Sequence, residues 1–178
     1  DLFSPIKRAV RGRVVWLGIN LCTAFLAASV IGQFELTLQK VVALAVLMPI
    51  VAGVGGNAAV QVLTLMVRGI ALGQVGPSNA KILLWKELRV AMINGTLIGL
   101  LVGLIAFVWF HSWLLSIVIT LALMINFCAA ALAGVLLPLM LKRMNVDPAV
   151  AGTVVVTAVT DVMGFFSFLG LATLILLH

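Results

Sequence analysis

Polar residues in this chain are confined to short clusters that separate five long apolar runs, at residues 14–34, 41–67, 90–110, 114–140 and 146–176. A hydrocarbon core of about 30 Å takes roughly 20 residues of helix to cross, and each run is long enough. Inside a bilayer no water satisfies exposed backbone groups, so single runs of this length imply helices rather than open strands. The expected fold is all-α and integral to a membrane, with five transmembrane helices per subunit. Between the runs, residues 35–40 form a short polar link, and Trp109, His111 and Trp113 mark a tight aromatic turn at an interface. The one long link, 68–89, is punctuated by Gly76-Pro77-Ser78, and within it residues 79–88 read as a short amphipathic helix on the membrane surface. Asp147-Pro148 places a side-chain acceptor at the N-cap and a proline at the first helical position of the last run.

Two runs carry small residues at helical spacing. In the third, Gly95, Gly99 and Gly103 recur every four positions, a ridge that lets a neighbouring helix approach closely. The second contains MPIVAGVGGNAAVQ, residues 48–61, which is expected to interrupt it. Pro49 removes a backbone donor there, while Gly53, Gly55 and Gly56 admit a close helix or an unwound backbone. Carbonyls freed by such a break can ligate cations, whereas small-residue packing needs no ligand. Asn57 and Gln61, one turn apart, add amide groups on the same side. Gly53-x-Gly55-x-x-Ala58 is not a dinucleotide fingerprint, because its surroundings are membrane-length apolar sequence rather than a strand, turn and helix. Asn126, inside the fourth run, is expected to bond across helices.

The fifth run changes the picture, because it holds a carboxylate, Asp161, near its middle. An acid at bilayer depth costs a few kcal/mol or more and usually faces a bundle interior or a wet path. Thr153, Thr157, Asp161 and Gly164 follow one another at spacings of four, four and three, so on a helix they form one polar, small-residue stripe. Every Lys and Arg lies outside the apolar runs or at their edges, which leaves Asp161 without a cationic partner inside the membrane.

Composition agrees: 64% of residues are hydrophobic and 9% charged, with a mean hydropathy of +1.31. That excludes a soluble globule. The net charge of +6 does not point to nucleic acid, since the bases cluster between apolar runs. Of eleven Lys and Arg, four lie before the first run, four in the link between the second and third, and two between the fourth and fifth. Only Lys40 lies on the other side, which predicts a cytoplasmic N-terminus and an external C-terminus in the cell's inner membrane. Residues 1–13 suit a helix lying on an anionic membrane face, a basic connector from an upstream soluble domain, or a solvated flank that only fixes orientation. A pore domain follows at 14–178, in a chain cut from a longer protein. Cys22 and Cys128 lie in apolar runs without metal-ligand spacing and read as small core residues.

One carboxylate per chain suggests a pair. Two copies on a two-fold axis bring two negative charges together, matching a divalent cation. An oxygen-only set of Asp161, Thr157, Asn57, Gln61 and backbone carbonyls suits Mg²⁺, Ca²⁺ or Mn²⁺, and a set so poor in carboxylates suits an ion that keeps most of its waters. The expected function is a divalent-cation channel, not an enzyme. Its alternatives are a proton- or sodium-coupled transporter of the same ions, or an assembly domain whose acid is structural.

The segments MPIVAGVGGNAAVQ, VRGIALG, KEL, LLPLMLKRMNVDPAVAG and TAVTDVMGFFSFLGLA resemble the membrane domain of bacterial MgtE magnesium channels, over nearly the whole chain. The resemblance implies a homodimer of five-helix subunits in a lipid bilayer, with the pore between them lined by the second and fifth runs. It also implies that Asp161 binds hydrated Mg²⁺, with the carbonyl of Thr157 and with Asn57 nearby; Gly56, Gln61 and Thr153 complete the candidate metal set. In that family an upstream acidic domain and paired CBS modules sense cytosolic Mg²⁺ and close the pore through a basic helix, of which residues 1–13 would be the remnant. This chain departs from many relatives at residues 58–60 and 153–156, around the outer candidates Gln61 and Thr153.

Overall fold

The computed structural model describes residues 2–178; Asp1, the first position of the expected connector, lies outside them. Six helices follow in order: α1 (Ile6–Gln33), α2 (Glu35–Lys40), α3 (Ala43–Ala71), α4 (Ala80–Phe110), α5 (Trp113–Arg143) and α6 (Pro148–Leu176). Among the described residues, five of them are long and apolar enough to cross a membrane, and the chain is a multi-pass membrane protein. These five contain 28 to 31 residues. They are therefore about 42–47 Å long, more than a hydrocarbon core needs, so their ends reach the headgroup zone, where the charges sit.

The extra length comes from three places where the sequence pattern predicts a boundary and the chain continues as helix. α3 passes unbroken through residues 48–61, correcting the expected interruption. Pro49 stands in the second turn, where its fixed φ suits a helix at the cost of one backbone hydrogen bond, and of the glycines that follow in this segment only Gly55 is packed against a neighbour. α4 absorbs residues 80–88, so no separate surface helix forms. Nothing between Ala80 and Asn94 is Gly or Pro, and a helix lacking a stop signal runs on. α1 likewise begins at Ile6 and carries Lys7, Arg8, Arg11 and Arg13 on its first turns. The 35–40 link is itself a short helix, tied to α6 by a 2.7 Å hydrogen bond between the hydroxyls of Thr37 and Thr173. Asp147 caps α6 as expected, accepting from the Ala149 amide at 3.0 Å.

α5 is the hub, packed on α3, α4 and α6, while α1 leans chiefly on α6 and buries only Ala27 among its residues. Lipid is as apolar as a leucine side chain, so close fit and hydrogen bonds rather than water exclusion hold such helices together. The expected ridge on α4 does this. Gly95, Gly99 and Gly103 are buried against α5, and the hydroxyls of Ser116 and Thr120 donate to the Gly103 and Gly99 carbonyls at 2.6 and 3.0 Å. Any Cβ at Gly99 would stand 3.0 Å from the Thr120 carbonyl. The absence of side chains there permits both bonds.

α3 and α6 run antiparallel in a fixed register, with Leu63 against Gly152 at one end and Val51 against Gly164 at the other. Asn57 therefore stands level with the turn of Thr157, and Gly53 with the turn of Asp161.

Candidate cation site

The stripe expected on α6 exists, but it is not evenly exposed. Thr153 is exposed, Thr157 and Asp161 are half-buried, and Gly164 is buried. The stripe thus descends from the basic end of the bundle into its interior. Beside its outer half, a groove of about 500 Å³ opens between α1 and α6, lined by Arg13, Trp16, Asn20, Thr153 and Thr157 among others. The groove reaches the turn next to Asp161.

A second polar stripe lies on α3, made of Gly53, Asn57, Gln61 and Thr64 at spacings of four, four and three, and all four positions are exposed. Its opposite face, with Leu44, Leu47, Val51, Gly55, Ala59 and Leu63, is buried. A membrane helix normally turns its apolar side to lipid. α3 does the reverse over these three turns. Thr64 satisfies its hydroxyl on its own helix, donating to the Val60 carbonyl at 2.8 Å. For the side chains of Asn57, Gln61 and Asp161 there is no such partner among the described residues, nor any ion pair.

Taken together, α3 and α6 bring all six sequence-derived candidates onto adjacent turns of two packed helices. Two details modify their expected roles. Gly56 lies within continuous helix, so no unwound turn frees its carbonyl; what it offers beside Asn57 is open space where a Cβ would otherwise stand. The Thr157 carbonyl lies in continuous helix, where it accepts from the Asp161 amide as well as from the Thr160 hydroxyl at 3.0 Å, so both of its lone pairs are engaged and what Thr157 offers is its own side chain. Among the described residues no group of three or more His, Cys, Asp and Glu side chains could hold a metal. A single carboxylate with neutral oxygens suits a hydrated hard cation better than a stripped, tightly caged one.

Behind the site sits Asn126, expected from the sequence to bond across helices and found doing so. It is fully buried and its Nδ2 donates to the Val51 carbonyl of α3 at 3.3 Å, while its Oδ1 has no partner. The same amide fills the gap at Gly55 of α3 and Gly164 of α6; a Cβ on Gly164 would lie 2.8 Å from its Nδ2. Asn126 thereby sets the spacing of the two helices that carry Asn57 and Asp161. The sequence marks it as a polar residue in an apolar run, but its link to this site depends on which helices meet there.

Comparison with known proteins adds an independent line. Residues 48–171 match the family model MgtE, described as a divalent cation transporter. The chain is 35% identical over 165 residues to the magnesium transporter MgtE of Thermus thermophilus, covering 92% of this chain and 36% of that protein. It is 30% identical over 171 residues to the protein of the same name from Enterococcus faecalis, covering 96% of this chain and 38% of the relative. With that of Bacillus subtilis it shares 29% over 161 residues, covering 90% and 36%. The chain thus spans little more than a third of the length of these relatives.

Proposed function

This chain belongs to the MgtE family of divalent cation transporters, and on that premise we propose that it is the pore domain of a Mg²⁺ channel built from two copies. The polar stripes of α3 and α6 face their copies across the two-fold axis, and the paired Asp161 carboxylates hold a hydrated Mg²⁺ between them. Asn57 and Thr157 contact its water shell. Gly56, Gln61 and Thr153 line the approach.

The observation that carries this reading is the position of Asp161. It lies mid-span and half-buried, without a cationic partner among the described residues, and level with a polar face of α3 that those residues leave uncovered. A second copy covering that face removes polar groups from lipid, and a divalent cation offsets two like charges that would otherwise repel strongly at low dielectric. Ten of the eleven basic residues lie at the end of the bundle where α1 begins. That end is the cytoplasmic one by the positive-inside rule, so ions enter the cell of origin across its inner membrane toward the groove between α1 and α6. The relatives' greater length leaves room for an upstream cytosolic sensor, which the basic turns of α1 would connect to the pore. Ion passage of this kind requires no catalytic residue.

Proteoliposomes loaded with a Mg²⁺ indicator and a pH indicator test the mechanism. The expected result is Mg²⁺ entry that follows the electrochemical gradient and stops at its reversal potential, with no accompanying proton or sodium movement. Co-ion flux in fixed ratio to Mg²⁺ would instead establish coupled transport.

A further inference from the structure

α4 contributes a second acid that the Asp161 site does not use. Glu87 is half-buried on the membrane-spanning helix α4, and Asn94, two turns on, is exposed. Gln61 of α3, also exposed, lines the same cleft. The three side chains wall a cavity of about 130 Å³ whose floor is Phe127, Ala130 and Ala131 of α5. The neighbouring bases Lys86 and Arg89 do not reach into it: they line a separate groove on another face of α4, with Ile82 and Trp85. Among the described residues no hydrogen bond or ion pair satisfies Glu87, Gln61 or Asn94.

A carboxylate with two amide carbonyls is an oxygen-only donor set with no soft ligand, the chemistry of a hard cation. The cavity has room for about four water molecules at roughly 30 Å³ each, enough for an ion that exchanges part of its water shell for protein oxygens. Gln61 also belongs to the exposed stripe of α3, one turn from Asn57 toward the basic end. The cavity is thus continuous with the proposed cation path rather than remote from it.

We propose that Gln61, Glu87 and Asn94 form a second divalent-cation site, weaker than the one at Asp161, where the ion pauses on the basic-end side of the pore. This rests on the reading that the cargo is a divalent cation. A single carboxylate only half neutralises such an ion, whereas two converge at the proposed Asp161 pair, so the expected order of affinity is fixed by charge.

Mn²⁺ titration of the purified chain, read by the loss of the free-ion electron paramagnetic resonance signal, separates the two sites. Two classes of bound Mn²⁺ are expected. Glu87→Gln should remove the weaker class and leave the tighter one, while Asp161→Asn does the opposite. Asn94→Asp, which adds a second carboxylate to the same wall, should tighten the weaker class by about tenfold. The second site is refuted if Glu87→Gln and Asn94→Asp both leave the isotherm unchanged while the tighter class persists. Loss of the pore reading shows differently, as an Asp161→Asn isotherm identical to that of the unaltered chain.

Discussion

Asp161→Asn is expected to abolish Mg²⁺ uptake into proteoliposomes and to weaken divalent-cation binding by on the order of 100-fold, about 2.8 kcal/mol. The substitution is close to isosteric, so shape is preserved and only the charge is lost. Its effect on stability should run the other way. A half-buried carboxylate without a cationic partner among the described residues carries an uncompensated desolvation cost. Neutralising it removes that cost, and the cation-free variant should melt no lower than the unaltered chain. Adding Mg²⁺ at a hundred times its dissociation constant stabilises a protein that binds it by about 2.7 kcal/mol, and this gain should vanish in the variant. Thermal melts with and without Mg²⁺ give both readings, and a melting point lowered in the absence of Mg²⁺ would show the acid to be structural.

Gly55→Ala is expected to be the most damaging small substitution in the bundle. Its new methyl group would overlap the Asn126 amide, which is fully buried and cannot swing away. Overpacking of this kind costs about 1–3 kcal/mol. Because Gly55 precedes Gly56 and Asn57 on α3, the shift that relieves the overlap also displaces the polar stripe, and uptake should fall with stability. Asn126→Ala supplies the compensating change. It gives up one long hydrogen bond and also removes an acceptor that has no partner. Residues in direct contact couple by roughly 0.5–3 kcal/mol. The double variant Gly55→Ala with Asn126→Ala should therefore be more stable than Gly55→Ala alone. Additive losses in the double variant would mean that Asn126 does not set the spacing of α3 and α6.

Much of this arrangement is legible in the order of residues because a bilayer simplifies the problem. Five apolar runs become five helices, the Asp147-Pro148 start signal caps α6, and the α4 glycine ridge meets α5, each for a local reason that a neighbour cannot easily override. What fails is the reading of breakers. Pro49 and the glycines after it imply a break in α3, yet packing around Gly55 keeps the helix whole, and in α4 the change from basic to apolar positions is no obstacle to a helix that lacks a stop signal. The candidate residues show the same division. Asp161 stands out from its surroundings alone, because a charge in an apolar run needs no fold to be conspicuous. Its alignment with Asn57 depends on the register of α3 against α6, and the cleft shared by Glu87 and Gln61 depends on α5 lying beneath both. Neither relation has a signature in sequence spacing, since the partners are held together by helices that are remote in the chain.

The pairing of two Asp161 side chains around one cation is most directly tested by anomalous scattering from crystals of this chain grown with Mn²⁺. The proposed pore predicts that the strongest anomalous peak lies on the two-fold axis between two copies, with both Asp161 carboxylates oriented toward it through the ion's water shell. A map in which the metal lies elsewhere, with Asp161 facing lipid or paired to a lysine or arginine, would contradict it.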